Sequence, residues 1–383
     1  MISPLAVARN AVRNVSTLKE AGRTKNLRVL KDLAGPAVRG LLLQRGKRDG
    51  CRTAICSPHP TTFTWDYPRS SPEVERLTRA ARKGQWNPDT DLDWSIDVDP
   101  HDPARELMRD EDLPLRELAA YRTLPRREQE TQRAHLLSWM LSQFLHGEQG
   151  ALFVACHLTE AIDWLDGKLY GATQVGDEGR HVEVFDRYLT QKLERRWQVN
   201  DDLYVVLDAL VHDGRWDLKF LGMQILVEGL ALGAFGTLRE STKEPLLREL
   251  LRYVITDEAR HVHFGVTALA EHYAHGVSDQ ERRDREDWAY EMCLLLRNRF
   301  LAHEFYDEFW AHAMSRQAWD AFIQQSEFMN RFRTTLFRRI VPNLKRIHLL
   351  SDRMRHHYGQ LGLLEHEHEK AAPELHVEDL VGV

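Results

Sequence analysis

From about residue 126 onward, apolar residues recur every three or four positions, the spacing of helices with one buried face. RREQETQRAHLLSWMLSQFLHGEQGALFVACHLTEAI predicts one long helix. A second is expected over 171–194, after a break at DGKLYG, and a shorter one over 201–212. WDLKFLGMQILVEGLALGAFGTLRE predicts the next long helix. PLLRELLRYVITDEARHVHFGVTALAEHYAHG predicts another, with Pro245 in its first turn. Ser278 is placed to cap the helix that carries DWAYEMCLLLRNRFLAHEFYDEFWAHAM, and a last helix is expected over 316–350. Long alternating strand patterns are scarce, so the expected fold is all-α.

The periodicity fails at both ends. Residues 51–125 hold SPHP, DYPRSSP and WNPDTDLDWSIDVDPHDP, whose proline and aspartate break helices. Trp65, Trp86 and Trp94 predict that this irregular segment wraps onto the body. Residues 1–50 read as a basic helical arm, 126–352 as the helical domain, and 353–383 as a mobile acidic tail. In that tail His366, His368 and His376 read as solvated rather than as a metal site.

Charge sharpens this division. The chain carries −6 overall, which argues against a general nucleic-acid binder. Residues 1–48 hold eleven Lys or Arg against two acids, so the arm is +9 and the rest is −15. Such an arm either packs on the body and shows its charges to water, or lies on an anionic membrane surface or an acidic partner. No run of about 18 apolar residues predicts a membrane span, and no secretory signal is evident at the start. Cys51, Cys56, Cys156 and Cys293 are scattered without zinc-ligand spacing, which fits a reducing cytoplasm.

The chemistry is concentrated in a repeat. DEGRHV at 177–182 matches DEARHV at 257–262. Glu178 and His181, like Glu258 and His261, stand three apart and share a helix face. A single such pair is common on charged helix surfaces. Here Glu148 precedes the first pair by 30 residues, and Glu228 precedes the second by 30. The unit E-x29-E-x2-H thus occurs twice, 80 residues apart, as a duplicated helical hairpin. Glu148 and Glu228 sit in apolar stretches, and a buried carboxylate needs a cation or a proton. Four Glu and two His offer oxygen and nitrogen donors suited to two iron or manganese ions. The competing reading is a buried salt-bridge network.

This set resembles the ferritin-like di-iron carboxylate superfamily, whose bundles draw a Glu from two helices and Glu-x-x-His from two others. It looks most like the oxygenase branch of hydroxylases, thioester epoxidases and acyl-carrier-protein desaturases. The resemblance covers roughly residues 140–275. It implies a ferritin-like four-helix bundle with additional C-terminal helices and an irregular N-terminal extension. It implies two iron ions, or a Mn/Fe pair, with Glu148, Glu178 and His181 on one and Glu228, Glu258 and His261 on the other. One or two of the glutamates would bridge. Asp177 and Asp257 would each accept a hydrogen bond from the opposite ligand histidine, with Arg180 and Arg260 pairing to them. His263 and Glu183 follow the ligand histidines by two positions, about 200° around the helix, and are expected to point away.

The resemblance further implies a cytoplasmic, O2-dependent oxidoreductase of monooxygenase or desaturase type. It would hydroxylate, epoxidise, desaturate or N-oxygenate a small or carrier-bound organic substrate. O2 is the co-substrate, a reductase or ferredoxin supplies electrons, and a homodimer is compatible with the fold. Departures narrow it: Phe185 stands where a radical subunit carries tyrosine, Leu232 where many oxygenases carry threonine, and Val254 where arylamine oxygenases carry an extra histidine. Phe144, Ala151, Leu152, Ala155, Gly229, Leu232 and Gly233 are expected to line a substrate pocket, the glycines making room or allowing a close helix crossing. The alternatives are a non-enzymatic ferritin-like metal-binding protein, a ferroxidase, and a purely structural bundle.

Overall fold

In a computed structural model, the residues described are 2–47 and 52–375, and every regular element among them is helical. The arm forms α1 (Pro4–Arg13), α2 (Val15–Glu20) and α3 (Leu27–Ala37). The wrapping segment is irregular apart from 3-10 turns, α4 (Pro72–Lys83) and the single turn α5 (Ala119–Arg122). One hairpin follows, α6 (Arg126–Ala161) and α7 (Leu165–Gln191). After α8 (Asp201–His212), α9 (Trp216–Phe220) runs through a π-helical stretch, Leu221–Glu228, into α10 (Gly229–Ser241). That composite helix and α11 (Pro245–His275) form the second hairpin. Then come α12 (Asp279–Asn298), α13 (His303–Phe309), α14 (Arg316–Gln325), α15 (Glu327–Phe337), α16 (Ile340–Arg346) and α17 (Asp352–Gln360).

The two hairpins pack through α7 and α11 around one continuous apolar core. The segment Trp216–Ser241 is long and apolar enough to cross a membrane, yet 89% of its most apolar window is buried by neighbouring helices. Its position at the centre explains that apolar sequence. Gly265 lets α11 approach the π-helical stretch, since a Cβ there would come within 2.5 Å of Gln224 Cβ.

Several boundaries differ from the sequence reading. DGKLYG does not break the chain but opens α7. The break lies at Ile162 and Trp164, whose backbones are extended. Asp166 then accepts the amides of Ser70 and Ser71 at 2.7 and 2.8 Å, tying the wrapping segment to the hairpin. The helix expected over 316–350 is three helices, with Ser326 capping α15 through the Met329 amide. The helix opened by Ser278 ends at Asn298, and Ala302 adopts a left-handed φ of 48° before α13. Trp86 is buried and Trp94 half-buried, but Trp65 is exposed and stacks on Phe63.

Residues 353–375 are not a mobile tail. Met354, Tyr358, Leu363 and Ala372 are buried, Glu369 pairs with Arg338 at 2.7 Å, and Glu367 pairs with Lys345 at 3.2 Å. The acidic composition that suggested mobility is matched by cations on the body. His366 pairs with Glu369 at 2.7 Å; His376, like Arg48 and Cys51, lies outside the described residues.

The arm packs on the body, as one reading expected, but Arg39 and Lys47 pair with body carboxylates rather than facing water. Arg39 reaches Asp208 at 2.6 Å, and Lys47 lies 2.8 Å from both Asp201 and Glu304. Glu291 accepts the amides of Gly22 and Thr24, each at 2.9 Å. Thr17 Oγ1 donates to Asp202 at 3.0 Å. Burial, then the charge of Asp201 and that of Glu304, raise the Asp202 pKa to about 7, against the pull of Thr17 and Lys47. A raised folded pKa favours the neutral acid, so its contribution is full below the unfolded value and is lost as pH rises through about 7. Asp202→Asn mimics the neutral acid. Thermal unfolding at about pH 4.5 and about pH 8 should show the variant gaining on wild type only at the higher pH. An offset equal at both would show that this ionisation carries no weight.

Candidate metal centre

The six repeat residues meet at the middle of the two hairpins. Glu148 comes from α6, Glu178 and His181 from α7, Glu228 from the last π-helical position, and Glu258 and His261 from α11. All are buried; Glu148 is the most exposed, at 6%. Their donor atoms form two overlapping groups, Glu148–Glu178–His181–Glu258 and Glu178–Glu228–Glu258–His261, with the atoms of each within 4.8 Å of one another. Glu178 and Glu258 belong to both groups. Glu148 and Glu228 each belong to one.

The histidines are oriented from behind. His181 turns Nδ1 toward Glu148 at 3.2 Å and Glu258 at 3.1 Å, while its Nε2 meets Asp257 at 3.1 Å. His261 turns Nδ1 toward Glu178 at 3.2 Å and Glu258 at 3.4 Å, and its Nε2 meets Asp177 at 3.2 Å. Each aspartate thus braces the histidine of the other hairpin. Arg180 pairs with Asp177 and Arg260 with Asp257. His263 points away as expected, its Nε2 2.7 Å from Glu73 on α4, and Glu183 is exposed.

The donor set fits a pair of divalent cations. Both oxygens of Glu258, Oε2 of Glu178, Oε2 of Glu228 and Nδ1 of His261 are buried without a hydrogen-bond partner. Buried polar atoms rarely go unpaired. These lie close together yet do not align as donor and acceptor, so they converge on shared space. With the carboxylates ionised and the imidazoles neutral, as metal ligands must be, four glutamates and two aspartates against two arginines leave four negative charges, the number two divalent cations carry. Burial, then the charge of Glu258, raises Glu148 well above the usual carboxylate range; burial does the same for Glu228. Burial would raise Glu178 too, but the charge of His261 and hydrogen bonds to both histidines outweigh it and hold it low. Burial likewise opposes the charged form of His181 and His261, and the surrounding carboxylates raise both well above their ordinary value. Protons and metal ions would compete for these atoms.

The chain matches no protein-family model, no curated protein and no solved structure.

Four neighbours escaped the sequence reading. Trp86, carried in by the chain after α4, donates its indole N–H to Asp257 at 2.8 Å, and the Arg180 guanidinium lies 5.4 Å from its ring. Gln174 donates to both Glu178 and Glu228 at 3.1 Å, linking the hairpins. Gln224 reaches Gln174 at 3.4 Å. The Tyr170 hydroxyl is buried and unpaired, its ring 4.5 Å from Phe264. A faint signal existed: Gln174 and Gln224 each stand four residues before a glutamate of the repeat, one helix turn away.

Of the residues expected to line a substrate pocket, Phe144 lines an apolar cavity; Ala151, Leu152, Ala155, Gly229, Leu232 and Gly233 do not line that cavity. Gly233 takes the second of its two expected roles, a close crossing, since a Cβ there would come 2.9 Å from Leu336 Cα on α15.

Asp257→Asn should weaken Fe(II) binding by about 10–100-fold, because the amide no longer fixes His181 as a carboxylate does. Trp86→Phe removes one hydrogen bond to the same aspartate and should cost less. His263→Gln, on the far face, should leave affinity unchanged. An anaerobic competition titration checks the order; equal affinities throughout would refute the bracing role.

Proposed function

We propose that the chain is a ferritin-like di-iron oxygenase acting on an organic substrate. One observation carries this: the two overlapping donor groups, built by four helices, with Glu178 and Glu258 common to both. Glu148, Glu178, His181 and Glu258 would hold one ion, and Glu178, Glu228, Glu258 and His261 the other. Iron rather than magnesium suits a set that includes two imidazoles. Two bound iron ions supply reductive activation of O2, with electrons from a reductase or ferredoxin, for hydroxylation, epoxidation, desaturation or N-oxygenation.

The chain's own contribution is orientation and dryness. Asp177 and Asp257 hold each imidazole with Nδ1 directed inward and the Nε2 proton directed back. Gln174 holds one oxygen each of Glu178 and Glu228, leaving their other oxygens for the ions. Phe144 and Phe185, each one turn from a ligand, pack with Phe235, two turns past Glu228, ring centres 4.7–6.1 Å apart, and keep water from that end. An apolar cavity begins at Phe144, one turn before Glu148. It favours an organic substrate over iron storage.

Anaerobic loading with Fe(II) should give about two iron per chain, and admission of O2 should change the visible absorbance. Glu178→Ala and Glu258→Ala, which each remove an oxygen donor from both groups, should bind less iron than Glu148→Ala. Fewer than about one iron per chain in wild type, with no O2-dependent absorbance, would refute the reading. Iron oxidation with no organic substrate ever consumed would favour the ferroxidase alternative.

A further inference from the structure

The apolar cavity has a volume of about 70 Å³, several times the ~10–15 Å³ that admits one water. Met140 and Phe144 of α6 and Leu238 of α10 form one side; Phe305, Trp319 and Phe332 from the C-terminal helices form the other. Its polar side chains are almost all engaged within the protein. Gln143 donates to the Gln198 carbonyl at 3.1 Å, Thr237 to that of Gly233 at 2.9 Å, and Trp139 to Glu304 at 3.2 Å. Ser241 accepts the Arg109 amide at 3.1 Å, and Asp112 accepts Arg109 Nε at 2.8 Å.

Arg299 differs. It lines the cavity and is 5% exposed. Its side chain has no hydrogen bond and no ion pair among the described residues, and the Phe300 ring centre lies 4.9 Å from its guanidinium carbon. Burial is the one influence on its titration, lowering the pKa to about 10, so the group stays charged at neutral pH. Other buried cations of this chain have partners: Arg285 has Asp217 at 2.8 Å, and Lys219 donates to the carbonyls of Leu210 and Val211 at 2.9 and 3.1 Å. A buried guanidinium on a residue that borders an apolar space, with no anion beside it, is incomplete, because desolvation is uncompensated. Its planar fork matches a carboxylate, and the cavity walls match a hydrocarbon body.

We propose that this cavity takes an apolar monocarboxylate, an aliphatic or arylalkyl acid, whose carboxylate pairs with Arg299. Such acids are then the substrate class of the neighbouring centre. That last step rests on the oxygen-activating reading; the binding does not.

Octanoate, octanol and octylamine share a tail and differ in head group. The fluorescence of Trp139 and Trp319, both in the cavity wall, reports their binding. Wild type should bind octanoate at least about tenfold more tightly than octanol or octylamine, a factor equal to ~1.4 kcal/mol. Arg299→Met should lose that preference, bind octanol as before, and hold the same iron as wild type. Octanoate and octanol binding alike to wild type would overturn the proposal without any variant. So would an Arg299→Met protein that binds octanoate as wild type does. Iron content and O2 reactivity, measured on the same samples, separate the two readings. Arg299-dependent octanoate binding without iron sinks the oxygenase and keeps the acid site. Normal iron chemistry with no response to octanoate sinks the acid site alone.

Discussion

Four glutamates buried on four helices at the middle of the bundle dominate the energetics. Left unpaired, each would cost several kcal/mol of desolvation, and together they repel one another. The fold does little to neutralise them directly: Arg180 and Arg260 pair with the aspartates behind the histidines and not with the glutamates. Only protons or cations can complete the balance. Rigid surroundings are needed to hold the carboxylates together despite that repulsion. The continuous helices α6, α7 and α11, the close approach at Gly265 and the Gln174 link between the hairpins provide them.

Much of this was legible in the sequence because helices convert spacing into position. E-x29-E-x2-H twice at an 80-residue offset placed six side chains without any knowledge of the turns between them. The aspartate braces were implied by the resemblance alone, and the geometry agrees with them. Partnerships set by chain path rather than by period were not legible. Trp86 reaches Asp257 across 171 residues only because Asp166 and α4 steer the wrapping segment there. Leu221–Glu228 has the same apolar composition whether α or π, so its hydrogen-bond register cannot be read from residue types. The apolar cavity was not legible for a related reason. Glycines beside the ligands allowed either space or a close crossing; Gly233 takes the crossing, and the cavity depends on how α14 and α15 fold back.

The duplication is exact in spacing and unequal in surroundings. Glu148 stands within regular α-helix, whereas Glu228 closes a π-helical stretch, a feature often found at functional positions. Asp257, which braces His181, also receives the Trp86 indole; its counterpart Asp177 is not given such a partner among the described residues. Phe144, at the inner limit of the apolar cavity, lies one turn before Glu148. His181 and Glu148 belong to the same donor group. The tryptophan contact, through Asp257 and His181, and Phe144, through its place on α6, both lie beside that group. Both imidazoles are braced, but the two donor groups differ in what surrounds them. A sequence repeat specifies a symmetric pair of sites; the segments outside the repeat, the wrap before it and the helices after it, give the pair a direction.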